Sequence, residues 1–91
     1  MRVPKKIIIG GQEVQVKYRK KLVHNGNELL GLCDYNNNII YLQQGMPKSK
    51  KLSIFIHEYW HFVSSVYVFD LSELKTNIFE VATVNLINSL K

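Results

Sequence analysis

The chain has 91 residues, with 12 Lys+Arg against 7 Asp+Glu, a formal charge of +5, and 46% hydrophobic residues. That balance describes one small globular domain over residues 1–91 and excludes collagen, long coiled coil and a disordered tail. One cysteine, Cys33, cannot make an internal disulfide, so a disulfide scaffold is excluded and a reducing, cytoplasmic setting is expected.

Taken in order, the first half reads as strands. Lys5 to Ile9 runs into Gly10-Gly11, a hairpin-type turn. The apolar run there is too short for the core of an export signal. Val14, Val16 and Tyr18 then alternate with Gln15, Lys17 and Arg19, the period of a half-buried strand. Asn25-Gly26-Asn27 marks a turn, and Leu29 to Tyr35 and Ile39 to Leu42 flank a second turn at Asn36-Asn37-Asn38. Three or four short strands, mostly antiparallel, are expected.

The second half reads as two helices. Pro47 suits a first helical turn, and Leu52, Phe55, Ile56, Tyr59, Val63, Val66 and Tyr67 recur at helical spacing. Apolar residues on nearly every side mark this as a buried central helix. A second helix is expected near Asp70, with Glu73 three residues on as its capping pair and Leu74, Ile78, Ala82 and Leu86 as its apolar stripe. The sum is an α+β domain, a small antiparallel sheet followed by two packed helices. The apolar stretch from Leu52 to Phe69 is broken by His57, Glu58 and His61, so no membrane span is expected.

Charge is uneven along the chain. Residues 1–51 hold ten Lys+Arg against three Asp+Glu, and residues 52–91 hold two against four. The cations cluster at Lys17-Tyr18-Arg19-Lys20-Lys21 and at Lys48, Lys50 and Lys51. A basic half can attract nucleic acid or an acidic protein. Runs this short are weak evidence for it, and a solvated strand end and helix start account for them more simply.

The chemistry is carried by His57-Glu58-Tyr59-Trp60-His61, an H-E-x-x-H sequence. On a helix, positions four apart lie ~40° apart around the axis and one turn along it. Both imidazoles therefore share a face and can grip one metal ion, with Glu58 flanking the pair. Two His ligands, a carboxylate base and an open position are the parts of zinc-dependent hydrolases. Glu58 is the only formally charged side chain between Leu52 and Phe69, and a lone buried carboxylate is costly unless a cation such as Zn²⁺ compensates it. A hydrogen-bonded polar network is the metal-free account of the same residues.

A third ligand is needed. The extended metzincin pattern is absent, since Ser64 and Tyr67 stand at its Gly and His positions. His24 in a turn and Cys33 in a strand are more simply solvated and packed, respectively. The acids that follow are Asp70, Glu73 and Glu80. Glu73 and Glu80 are seven apart and share one helix face, and spacing does not choose between them.

With Lys5 to Gly11, Val14 to Tyr18, Gly31 to Tyr35, Ile39 to Leu42, His57-Glu58-x-x-His61 and Glu80-Val81-Ala82 in hand, the chain resembles the small phage-type zinc metallopeptidases related to the ImmA/IrrE gluzincin group. Glu80-Val81-Ala82 is similar to that group's Glu-x-Ala signature, and the resemblance implies Glu80 as the third metal ligand with Glu73 in reserve. It also implies a minimal zincin-like fold and peptide-bond hydrolysis, the substrate being a repressor or other regulatory protein of a phage or mobile element. Trp60 and Phe62 are bulkier than the group's usual residues beside the second His and are read as packing.

In this reading His57, His61 and Glu80 hold Zn²⁺, and Glu58 takes a proton from water and passes it to the leaving amine. Tyr59, Tyr67 and His24 are candidates to steady the oxyanion, and Ile39 to Leu42 is the candidate edge for an extended peptide. The alternative is a non-catalytic zinc-binding module, or a nucleic-acid- or protein-binding module, on the same scaffold.

Overall fold

In a computed structural model, which describes residues 2–68 and 72–89, six strands precede two helices. Strands β1 (Lys6–Ile9) and β2 (Gln12–Arg19) form an antiparallel hairpin. Gly10 and Gly11 turn it with φ of +57° and +78°. Two successive positive φ angles match the twist of a two-residue hairpin, and glycine adopts them without steric penalty.

Strands β3 (Leu22–His24) and β4 (Asn27–Leu29) form a separate small hairpin about Asn25 and Gly26. What the sequence pattern joins as Leu29 to Tyr35 is therefore two strands, with Leu30 between β4 and β5 (Gly31–Asp34). Strand β6 (Ile39–Gln43) returns antiparallel to β5 after a turn in which the Asp34 carboxylate accepts from the Asn37 backbone N–H and side-chain amide.

The α+β class with two packed helices is as expected. The sheet order β1-β2-β6-β5 adds a feature that strand periodicity did not disclose: β2 and β6 run parallel, with Val16 opposite Ile40 and Tyr18 opposite Leu42. Alternation is the same for parallel and antiparallel partners, so only the long connection through β3–β5 carries the difference. Strand β6 is thereby interior, and Ile40 and Leu42 are fully buried. The exposed edge facing the helices is β5, so the expectation of a free edge at Ile39 to Leu42 is corrected.

Helix α1 (Lys48–Val66) starts after Pro47, whose carbonyl accepts from the Lys51 N–H. It lays Leu52, Phe55, Ile56 and Phe62 onto Ile9, Val14, Val16, Ile40 and Leu42 of the sheet. Its other side carries helix α2 (Glu73–Ser89). The α2 start is capped by Ser72, whose Oγ accepts from the Lys75 N–H at 3.2 Å. Asp70, the expected cap, lies outside the described residues.

The expected apolar stripe of α2 is corrected. Leu74, Ile78 and Leu86 are 70%, 56% and 59% exposed. The face turned to α1 instead carries Glu73, Glu80 and Thr83, and Thr76 between them is fully buried. Trp60 meets that face, its ring tilted against Phe79 at 5.1 Å between centroids and its Nε1–H donated to Thr83 Oγ1 at 3.1 Å. Packing is thus the role of Trp60, and no described helix is long and apolar enough to cross a membrane.

Candidate metal centre

Helix α1 supplies both histidines from one turn, as i and i+4 spacing requires. Their Nε2 atoms stand 3.1 Å apart, and the rings meet edge to face at 4.7 Å between centroids. Helix α2 brings a carboxylate to the same point: Glu73 Oε1 lies 2.6 Å from His57 Nε2, and Glu73 Oε2 lies 3.2 Å from His61 Nε2. One ligand atom from each of His57, His61 and Glu73 falls within 4.8 Å of the others.

Glu80, the ligand implied by resemblance, occupies a different place. Its Oε1 lies 2.9 Å from Nδ1 of His57, on the far side of the ring from the converging nitrogens. Two turns of α2 separate it from Glu73, and this spacing sets the two carboxylates against the two nitrogens of one imidazole. A carboxylate facing Nδ1 is the partner that a metal-ligating imidazole needs on its other nitrogen.

The donor set fits a zinc ion. His57 Nε2, His61 Nε2 and the Glu73 carboxylate converge at one point, and either a proton on an imidazole nitrogen or a bound cation holds such groups together. Tetrahedral donors ~2.0–2.1 Å from zinc stand about 3.3 Å apart, near the 3.1 Å between the imidazole nitrogens and the 3.2 Å from His61 to Glu73 Oε2, whereas the 2.6 Å from His57 to Glu73 Oε1 is a hydrogen-bond distance. The side chains of His57 and His61 are 14% and 22% exposed, whereas Glu73 is 67% exposed and lies at the mouth.

Glu58 points from α1 toward the edge strand. The Cys33 thiol lies 3.2 Å from the Glu58 carbonyl oxygen and 3.4 Å from Oε1 and donates to this pair of acceptors. Burial raises the Glu58 carboxyl above its ordinary range, against the opposing pull of the Cys33 thiol and the two imidazoles. Burial likewise pushes the Cys33 thiol far up, reinforced by the charge of Glu58. Gly31 makes the close approach possible: a Cβ there would stand 2.7 Å from Ile54 Cγ2 and 2.9 Å from Glu58 Cγ. No larger residue lets β5 lie this near to α1.

These side chains open into a cleft of about 550 Å³ walled by Gly31 and Leu32 of β5, by His57, Glu58 and His61 of α1, and by Glu73, Asn77 and Glu80 of α2. None of Tyr59, Tyr67 and His24 lines it. Tyr59 faces the opposite groove beside Ile7, Tyr67 ends α1 on the surface, and His24 sits in the β3–β4 hairpin. Asn77 and Lys50, which do line the cleft, had no motif to mark them. Asn77 was findable only as the residue one turn beyond Glu73.

Comparison with protein-family models, with curated proteins and with solved structures returned no match.

Proposed function

We propose that the chain is a zinc-dependent metallopeptidase of gluzincin type. The observation that carries this reading is the convergence of His57 Nε2, His61 Nε2 and the Glu73 carboxylate, with Glu80 braced against the other nitrogen of His57. In this assignment Glu73 replaces Glu80 as the third ligand, and Glu80 becomes the residue that orients His57. Bound zinc would supply Lewis acidity that polarises a carbonyl and makes water a nucleophile at neutral pH.

The chain's own residues do the rest. An extended peptide pairs with the free main chain of β5 at Gly31 and Leu32, which fixes its scissile bond beside Glu58. Glu58 accepts the proton of the attacking water and delivers it to the leaving amine. Burial raises the carboxyl above its ordinary range, which strengthens it as a base for that transfer. The Asn77 amide donates to oxygen charge developing across the cleft. The resemblance noted above makes a regulatory protein of a phage or mobile element, such as a repressor, the substrate class, and the single half-buried thiol suits a cytoplasmic setting.

The test compares zinc-loaded wild type with Glu58→Gln on an unstructured protein substrate such as casein. Glu58→Gln is expected to keep one zinc per chain and lose cleavage by at least ~100-fold. Undiminished cleavage by the variant, or a wild type that takes up no zinc, overturns the proposal.

A further inference from the structure

Helix α2 meets α1 with one face and leaves the opposite face bare. Glu73, Thr76, Glu80 and Thr83 turn inward. At ~100° per residue, Leu74, Ile78, Val81 and Asn85 fall within ~60° of one another on the other side of the helix. All four are exposed, the three apolar ones by more than half. The shallow depression on this side is lined by Asn77, Ile78, Val81, Ala82 and Asn85, all of α2, so no other described element covers it.

Single exposed apolar residues are ordinary, but a row of them in register is not. Steps of four, three and four residues along this face are those of a coiled-coil seam, with Leu74 and Val81 at d positions and Ile78 and Asn85 at a positions. The face is also large enough to matter. Leu74, Ile78, Val81 and Leu86 together expose on the order of 400 Å². Doubled over two copies and widened by Asn77, Ala82 and Asn85, the face buries about 1,000 Å², the size at which specific interfaces begin.

Chemistry selects the occupant. Helices that lie on a membrane surface flank their apolar face with Lys and Arg, and α2 carries one cation, Lys75, against Glu73 and Glu80. The seam itself holds no charge for a nucleic acid or a charged protein to meet. It fits another helix with the same spacing and an amide at the height of Asn85, and a second copy of the chain has both. In a parallel pair each layer meets its own kind, Leu74 on Leu74, Ile78 on Ile78, Val81 on Val81, and the Asn85 amides donate to and accept from each other. An antiparallel pair sets Asn85 against Leu74 and leaves a buried amide without a partner, which is costly. We infer that α2 pairs in parallel with α2 of a second copy through Leu74, Ile78, Val81 and Asn85, about a two-fold axis. An interface of this size forms at concentrations on the order of 10–100 μM, so dilute melts read the monomer. The inference is independent of the metal centre.

Sedimentation equilibrium on the full chain between about 5 and 500 μM tests it. The mass is expected to climb from the 10.6 kDa of one chain toward twice that value, with or without EDTA. Ile78→Glu, at an exposed position, should keep its dilute melting curve and associate at least ~100-fold more weakly. Asn85→Asp and Asn85→Lys each set like charges against each other in the parallel register and should associate at least ~10-fold more weakly, whereas an equimolar mixture of the two should dimerise about as well as wild type. The inference is overturned if wild type stays at the mass of one chain at the highest concentration, if its mass passes that of two, or if EDTA abolishes association. It is equally overturned if Ile78→Glu associates as wild type does, or if the mixture is no more dimeric than its components.

Discussion

Helix α1 turns Leu52, Phe55, Ile56 and Phe62 into the core, whereas helix α2 turns Glu73 and Glu80 toward its neighbour and leaves Leu74, Ile78, Val81 and Leu86 more than half exposed. The first helix is oriented by burial of apolar area. The second packs through Thr76, Phe79, Val84 and Ile87 and, beside them, brings two carboxylates against one imidazole from opposite sides. In the proposed reading α2 completes a metal-ligand set, and such a helix need not present its whole apolar stripe to the core, because ligand geometry is directional and hydrophobic burial is not.

The largest expected difference between the helices is in stability. Phe62 is 2% exposed and packs 5.2 Å from the Tyr35 ring, and Phe62→Ala should cost about 3–5 kcal/mol in a denaturant melt. Leu74→Ala, at a position 70% exposed, should change stability by less than about 0.5 kcal/mol. Similar losses for the two would mean that α2 buries its apolar stripe after all.

A smaller effect separates the two carboxylates of α2. Glu80→Gln keeps a hydrogen-bonding group beside His57 Nδ1 but loses the charge, and zinc affinity should fall about 10–100-fold. A calorimetric zinc titration measures it, and an unchanged affinity would remove Glu80 from its orienting role.

The smallest expected effect lies across the cleft from α2. The raised thiol pKa of Cys33 means that the folded chain keeps this proton while the unfolded chain loses it near pH ~8.5. Its contribution to stability is therefore complete below that pH and declines as pH rises above it. Urea melts at pH 7.5 and 9.5 should show a loss in wild type that is smaller in Cys33→Ala. Equal losses in both would mean that the thiol is not held protonated.

The contrast between the helices also explains what the sequence disclosed. Burial of α1 was legible because its apolar residues recur at helical period, and the histidine pair was legible because four-residue spacing on a helix fixes their mutual position whatever surrounds them. The hairpin at Gly10-Gly11 was legible from turn chemistry. The facing of α2 was not, since its apolar residues recur nearly all round and its inner face mixes Glu73, Thr76 and Glu80 with Phe79, Val84 and Ile87. The choice between Glu73 and Glu80 depends on how α2 sits on α1, which no local pattern records, so resemblance favoured one glutamate and the geometry favours the other. The parallel β2–β6 pair was likewise invisible to alternation. With it went the identity of β5 as the edge beside the site.

The most direct test of the central claim is zinc stoichiometry and affinity, measured by calorimetry and metal analysis on wild type, His57→Ala and Glu73→Ala. One zinc per chain in wild type, none retained by His57→Ala, and an affinity at least ~100-fold weaker in Glu73→Ala is the predicted result. Equal metal content and affinity in all three proteins would contradict it.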